Sequence, residues 1–263
     1  MHDMTSVAPT VCRALMVRPP SSAEGSLIIE AAESLNQIEK LVVVVIDAFG
    51  VSTWEKAKEN TPAFNRLRGV HGTVIRSVMP SITPVNFATM LTGASPETHG
   101  IRNREQPLRH ENIFHMMREI GMVSATAARA VSSLGILISP HADKPGLAGS
   151  NLDSEVTEIA CRMIDEEVNL LWVQLLDVDD AGHSHGPYSL ESREAATKAD
   201  TNLMRILEAA RVHGYSAIVL ADHGQHPSSG GPYKGVHGTT VPEDLNVPFL
   251  WASNTELREA LDE

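Results

Sequence analysis

The run LVVVVID at 41–47 constrains the fold of this chain more than any other stretch. Six aliphatic residues in succession, five of them β-branched, leave no polar side for water. Such a run suits a strand covered on both faces, as in a parallel sheet flanked by helices. LLWVQLLD (170–177) and SAIVLAD (216–222) have the same form, and VPFLWAS (247–253) is a fourth candidate. Between these runs, helical patterns cover 61–69, 84–92, 110–120, 153–168, 189–213 and 255–261. Gly121 is placed to cap the third of these, and Asp153 or Ser154 to open the fourth. Strands alternating with helices predict an α/β fold with a doubly wound, mostly parallel central sheet. One domain over 1–263 is the simplest organisation, with 1–40 a less regular N-terminal arm that includes a loop at RPPSSAEGS (18–26).

The bulk charge narrows the partners. A net charge of -12 argues against a nucleic-acid polymer, whose phosphates need clustered Lys and Arg. An acidic protein can still take a small phosphoester if metal ions supply the positive charge locally. Cys12 and Cys161 lie too far apart in the chain to suggest a disulfide framework and read as ordinary thiols of a reducing compartment. No apolar run reaches transmembrane length, and MHDMTSVAPTVCRALMV lacks the clean apolar centre of a signal peptide, so the expected setting is cytoplasmic, without a membrane partner.

Three of the strand-like runs end in aspartate: Asp47, Asp177 with Asp179 just beyond it, and Asp222. Ligands of open α/β sheets bind at the carboxyl ends of the strands, so these carboxylates are expected to share one crevice. DVDDAGHSHGP (177–187) is read as a post-strand loop holding three Asp and two His. ADHGQH (221–226) adds His223 and His226, and KGVHGTT (234–240) adds His237. A single loop histidine is usually solvated, and an aspartate at a strand end is often a turn former. Repeated pairing of the two types is what favours metal ligation.

PSITPVNFATMLTG (80–93) poses a separate question. Pro84 suits a first helical position, which leaves Thr83 at the N-cap. There its hydroxyl either caps the helix, worth about 1 kcal/mol, or serves as a nucleophile at an anion-favouring helix end. A free threonine hydroxyl is a weak nucleophile, and the second reading needs a metal ion.

These residues together resemble the alkaline phosphatase superfamily, in particular its nucleotide pyrophosphatase/phosphodiesterase branch. Asp47 after the first strand, Pro80, Thr83 and Asn86, Thr92-Gly93, PETHGI (96–101), Asp179 with Gly182, His183, Gly186 and Pro187, Asp222-His223-Gly224, and His237-Gly238 occur in that branch's order over residues 41–238. The resemblance implies a two-metal site, most often zinc. Asp179, His183 and His237 would hold one ion, and Asp47, Asp222, His223 and the Thr83 oxygen the other. It further implies Thr83 as nucleophile, a phosphothreonine intermediate, and Asn86 donating to a non-bridging phosphoryl oxygen. Ser81 is then a neighbour, and Asp177, Asp180, His185 and His226 support the ligands or face solvent. Neither cysteine lies near Thr83, which argues against the sulfatase branch.

The expected activity is hydrolysis of a phosphodiester or nucleotide pyrophosphate. A phosphate monoesterase or a phosphonoacetate-type hydrolase with the same site is the alternative, and a non-catalytic protein stabilised by its metals is the alternative of another class. Arg102, Arg104 and Arg109 follow the Thr83 helix and are read as solvated charges rather than substrate contacts.

Overall fold

The computed structural model describes residues 2–262. The apolar runs form strands β1 (Leu41–Ile46), β5 (Leu170–Leu175), β6 (Ser216–Leu220) and β9 (Asn246–Ala252), and the main sheet is completed by β2 (Gly72–Arg76), β3 (Ser124–Arg129) and β4 (Lys144–Ala148). Short strands β7 (His226–Pro227) and β8 (Gly235–Val236) make a separate antiparallel pair. The α-helices among the described residues are α1 (Val7–Ala14), α2 (Ile29–Ser34), α3 (Val51–Ala57), α4 (Pro62–Val70), α5 (Thr83–Thr92), α6 (Pro96–His99), α7 (Ile113–Glu119), α8 (Asp153–Asp165), α9 (Asp177–His185), α10 (Leu190–His213), α11 (Pro242–Leu245) and α12 (Asn254–Asp262).

The seven-stranded sheet has the order β2-β9-β6-β1-β5-β3-β4. β1 runs parallel to both neighbours, with Val43 opposite Trp172 on one side and Ile218 on the other. β9 is antiparallel to β6 and to β2, so the sheet is mostly parallel. β1, β3, β5 and β6 are buried at every position, as the uninterrupted apolar runs require for three of them. Each fully buried Val, Ile or Leu contributes about 1.5–3 kcal/mol. Because β6, β1 and β5 are adjacent and parallel, their carboxyl ends lie side by side. Chain order therefore carries Asp222, Asp47 and the start of α9 to one edge of the sheet.

Three strands lack the signal that betrayed the others. β3 reads SATAAR and is buried through small residues rather than β-branched ones. β4 holds Pro145 and Gly146, tolerable at a sheet edge, and a Cβ on Gly146 would lie 2.4 Å from Ile159 Cγ2. β2 is mostly exposed at the opposite edge. The expected loop at 177–187 is instead largely helical, as α9. Asp153 and Ser154 do not cap α8 through a side-chain hydrogen bond, whereas Gly121 takes the left-handed φ of 76° that ends α7.

The N-terminal arm is more regular than expected. α1 packs on α2 and α5, and Met4, Val7, Val11, Cys12 and Leu15 join the common core. Thr10 Oγ1 donates to Ser6 O and accepts from Ile28 N, and Glu24 N donates to Gly93 O at the end of α5. Both cysteines are free thiols. No helix among the described residues is long and apolar enough to cross a membrane.

Leu15 is fully buried. We expect Leu15→Ala to lower the unfolding free energy by about 2–5 kcal/mol, as for other buried leucines. Denaturant titration checks this, and a loss under about 0.5 kcal/mol would mean that the arm is peripheral to the core.

Candidate metal centre and active site

Asp47 leaves the end of β1, and Asp222 and His223 follow β6 by two and three residues; all three side chains are almost wholly buried. Asp47 Oδ2 accepts from Gln174 Nε2 at 2.7 Å, and Asp222 Oδ1 accepts from Ala48 N at 3.3 Å. The other oxygens, Asp47 Oδ1 and Asp222 Oδ2, are buried with no hydrogen-bond partner. His223 Nε2 lies 3.5 Å from the first and 3.3 Å from the second, and 3.1 Å from Thr83 Oγ1. These four atoms form one donor set.

Helix α9 presents a second set. Asp179 and His183 sit one turn apart on it, with Asp179 Oδ1 3.4 Å from His183 Nε2. His237, just beyond β8, brings its Nε2 to 3.7 Å from the same carboxylate oxygen and 3.2 Å from His183 Nε2. The His223 and His237 rings stack with centroids 3.9 Å apart, so the two sets adjoin. Every metal ligand expected from the sequence is thus brought into one crevice.

The histidine tautomers follow from their partners. Nδ1 of His183 faces Gly235 O at 2.9 Å, that of His223 faces Gly224 O at 3.0 Å, and that of His237 faces Ser81 O at 3.0 Å. A carbonyl only accepts, so in the neutral rings each Nδ1 carries the proton and each Nε2 a lone pair. Two such lone pairs 3.2 Å apart, on His183 and His237, repel unless a cation lies between them. Burial pulls His223 down to about 3, and burial with the His223 charge nearby pulls His237 down to about 3, so these two rings are neutral near neutral pH. The carboxyls shift the opposite way. Burial, then the charges of Asp222 and Asp179, push Asp47 well above the usual range. Burial, then Asp222, raises Asp179, and burial raises Asp222 to about 6. Orphaned carboxylate oxygens, opposed lone pairs and carboxyls unwilling to ionise all fit divalent cations bound by oxygen and imidazole nitrogen.

Thr83 does not act as the cap. α5 begins at Thr83 itself, no side chain caps it, and the hydroxyl turns to His223. Since His223 Nε2 is the acceptor, Thr83 Oγ1 is the donor. Asn86 is not a helix-surface amide: it is fully buried, accepting from Val78 N at 2.9 Å and donating to Ile82 O at 3.2 Å. It braces the turn that delivers Thr83, with one amide N–H left for another acceptor. Ser81 donates to Thr239 O at 3.0 Å, tying this turn to the segment after His237.

The remaining acidic and histidine positions go elsewhere. Asp177 and Asp180 bind Arg129, His226 pairs with the buried Asp244 at 2.7 Å, and His185 faces solvent. Arg102 donates to the carbonyls of Pro96 and Ile101, Arg104 pairs with Glu105, and Arg109 is exposed. Sequence reasoning missed Gln174, Gln225 and Arg129. Gln174 was detectable as the one amide inside a buried apolar strand. Gln225 Nε2 donates to Asp179 Oδ1 at 3.0 Å, and Gly182 makes room for it, since a Cβ there would stand 1.8 Å from Gln225 Oε1.

Comparison with known proteins places the chain in a family. The family described as type I phosphodiesterase / nucleotide pyrophosphatase matches residues 41–120 and 124–253. Venom phosphodiesterase 2 of Crotalus adamanteus is 26% identical over 220 residues, covering 72% of this chain and 27% of its own length. The chain therefore spans about a quarter of that relative. Among solved structures, murine ectonucleotide pyrophosphatase / phosphodiesterase 5, as an inactive threonine-to-alanine variant in complex with AMP, superposes with a TM-score of 0.66 at 14% identity, covering 85% of this chain and 94% of that one. The C-terminal periplasmic domain of EcEptC from Escherichia coli, in complex with Zn, gives 0.61 at 17% identity, covering 93% and 79%. At these identities the structural likenesses speak for the fold. With the family match running through both donor sets and over most of the chain, the chain belongs to the type I phosphodiesterase / nucleotide pyrophosphatase family.

Proposed function

We propose that the chain hydrolyses small phosphodiesters or nucleotide pyrophosphates, with Thr83 as nucleophile and two divalent ions, zinc by donor type, as cofactors. The observation that carries this reading is the Thr83 hydroxyl, 3.1 Å from His223 Nε2, at the mouth of α5 and beside two adjoining donor sets. The AMP complex of the inactive threonine variant of the murine relative and the Zn complex of the Escherichia coli domain support it. Asp47, Asp222, His223 and Thr83 would hold one ion, and Asp179, His183 and His237 the other. The ions supply Lewis-acid charge that lowers the hydroxyl pKa and offsets the charge of the phosphoryl group.

The residues of the chain do the rest. Thr83 Oγ1 gives up its proton and forms the bond to phosphorus while the bond to the leaving oxygen breaks, and that oxygen takes up a proton from solvent, giving a phosphothreonine and a free alcohol or nucleotide. Attack by water then breaks the Thr83 Oγ1–phosphorus bond and returns the hydroxyl. The unpaired N–H groups in the first turn of α5 favour the anion at this position. The spare amide N–H of Asn86 is assigned to a non-bridging oxygen, while its other bonds hold the turn in place.

With bis-p-nitrophenyl phosphate and p-nitrophenyl phosphate as paired substrates of the zinc-loaded protein, we expect a preference for the diester. Thr83→Ala should lower kcat by more than about 1000-fold, as loss of a nucleophile does elsewhere, with metal content nearly unchanged. Full activity in that variant would remove Thr83 from the mechanism. Metal uptake without turnover of either ester or of a phosphonate would favour the non-catalytic alternative.

Zinc at about 100 times its Kd should stabilise the fold by roughly 2.7 kcal/mol, read as a rise in Tm of about 5–10 °C. Uptake releases the protons that burial holds on the carboxyls, so affinity should fall between pH 7.5 and pH 5. An unchanged Tm with zinc, manganese and magnesium alike would count against the metal centre.

A further inference from the structure

Arg129 ends β3 and belongs to neither donor set, though its charge reaches Asp179; it is only 3% exposed and meets three carboxylates. Its Nε and Nη2 donate to Asp153 Oδ1 at 3.1 and 2.7 Å, Nη1 donates to Asp180 Oδ2 at 2.6 Å, and Nη2 also reaches Asp177 Oδ1. Asp153 is fully buried at the start of α8, where it makes no cap of its own helix. Its two oxygens instead accept from Leu176 N at 3.0 Å, just before α9, and from Asp177 N at 2.8 Å, the first N–H of α9.

Helical periodicity sorts the side chains of α9. At about 100° per residue, positions 177 and 180 lie within about 60° of each other and 179 and 183 within about 40°, and the two pairs point in directions roughly 110° apart. The first pair goes to Arg129 and the second to the crevice. Asp153 thus fixes where the helix starts, and Arg129 fixes its rotation about its own axis. Rotation of α9 would carry Asp179 Oδ1 and His183 Nε2 away from His237 together, because both ride on the same turn.

We propose that Arg129 and Asp153 are positioning residues that clasp α9 from outside the crevice and set the affinity of the Asp179/His183/His237 donor set for its ion. The inference rests on the two-metal reading given above. Supporting groups behind metal ligands are typically worth 10–100-fold in affinity. A clasp acting on α9 alone should spend that effect on one ion and spare the other, whose ligands come from β1, β6 and α5.

The test is a cobalt(II) titration of the full chain, followed by absorption, with bound metal counted after desalting. The unsubstituted protein should show two uptake steps, one of them missing from His237→Ala. Asp153→Asn keeps the shape of the side chain but loses one of its two acceptors. In this variant the step missing from His237→Ala should weaken by about 10–100-fold while the other moves less than about 2-fold. Arg129→Lys keeps the charge without the fork that spans three carboxylates, should weaken the same step, and serves if Asp153→Asn fails to fold. A fall in Tm with both steps unchanged, or both steps weakened alike, overturns the clasp while leaving the metal centre standing. A single step or none in the unsubstituted protein overturns the two-metal reading and the clasp with it.

Discussion

Carboxylates and imidazoles packed within 3–4 Å of one another at the end of a buried sheet are held against their own repulsion. The crevice contains acceptors and lone pairs, and Arg129, whose charge reaches Asp179, is spoken for by other carboxylates. Burial magnifies the problem, because a buried charge or polar atom without a partner costs several times what it would in water. Such an arrangement persists only if the surrounding structure is rigid enough to impose it. Much of this fold supplies that rigidity, from the parallel core strands to the backbone carbonyls that fix each imidazole ring.

Two kinds of buried aspartate separate on this basis. Asp153 and Asp200 each satisfy both oxygens with backbone N–H groups at the start of a helix other than their own, Asp153 at α9 and Asp200 at Ala63 and Phe64 in α4. These carboxylates are structural and complete. Asp47 and Asp222 instead have one oxygen engaged and one left over, and the leftover atoms point to the same histidine nitrogen. Other buried polar atoms without partners, such as Trp172 Nε1 and Thr53 Oγ1, are not gathered into any such donor set. Convergence, more than burial, separates a site from an imperfection of packing.

Much of this was legible in the amino-acid order. The β-branched runs and their terminal aspartates announced the parallel sheet and the end of it where the carboxylates gather, and the family resemblance named the seven residues that the structure brings together there. What stayed hidden has physical causes. β3 is buried through alanine and serine, which carry little strand preference, so nothing marks it locally. α9 looked like a loop because Asp, Gly, Ser and His dominate it; its start is secured by Asp153, which precedes it by more than 20 residues in sequence. The turn before α5 misled by a single residue: Thr83 opens the helix without capping it, which frees its hydroxyl for His223.

The pairing of β1 between β5 and β6, with Leu41 set opposite Leu170 and Ser216, gives the crevice a tolerance that differs sharply along the chain. Side chains alternate between the faces of a strand with a period of two, so deletion of one residue from β1 would swing Asp47 to the far face and bury its charge among helices. The connections on the crevice rim are under no such arithmetic. The glycine-containing turn 228–234, which touches His183 through Tyr233 and Lys234, can lengthen or shorten without shifting any strand register of the main sheet. Change of length is therefore tolerated at that turn, while the strands beneath are held by parity.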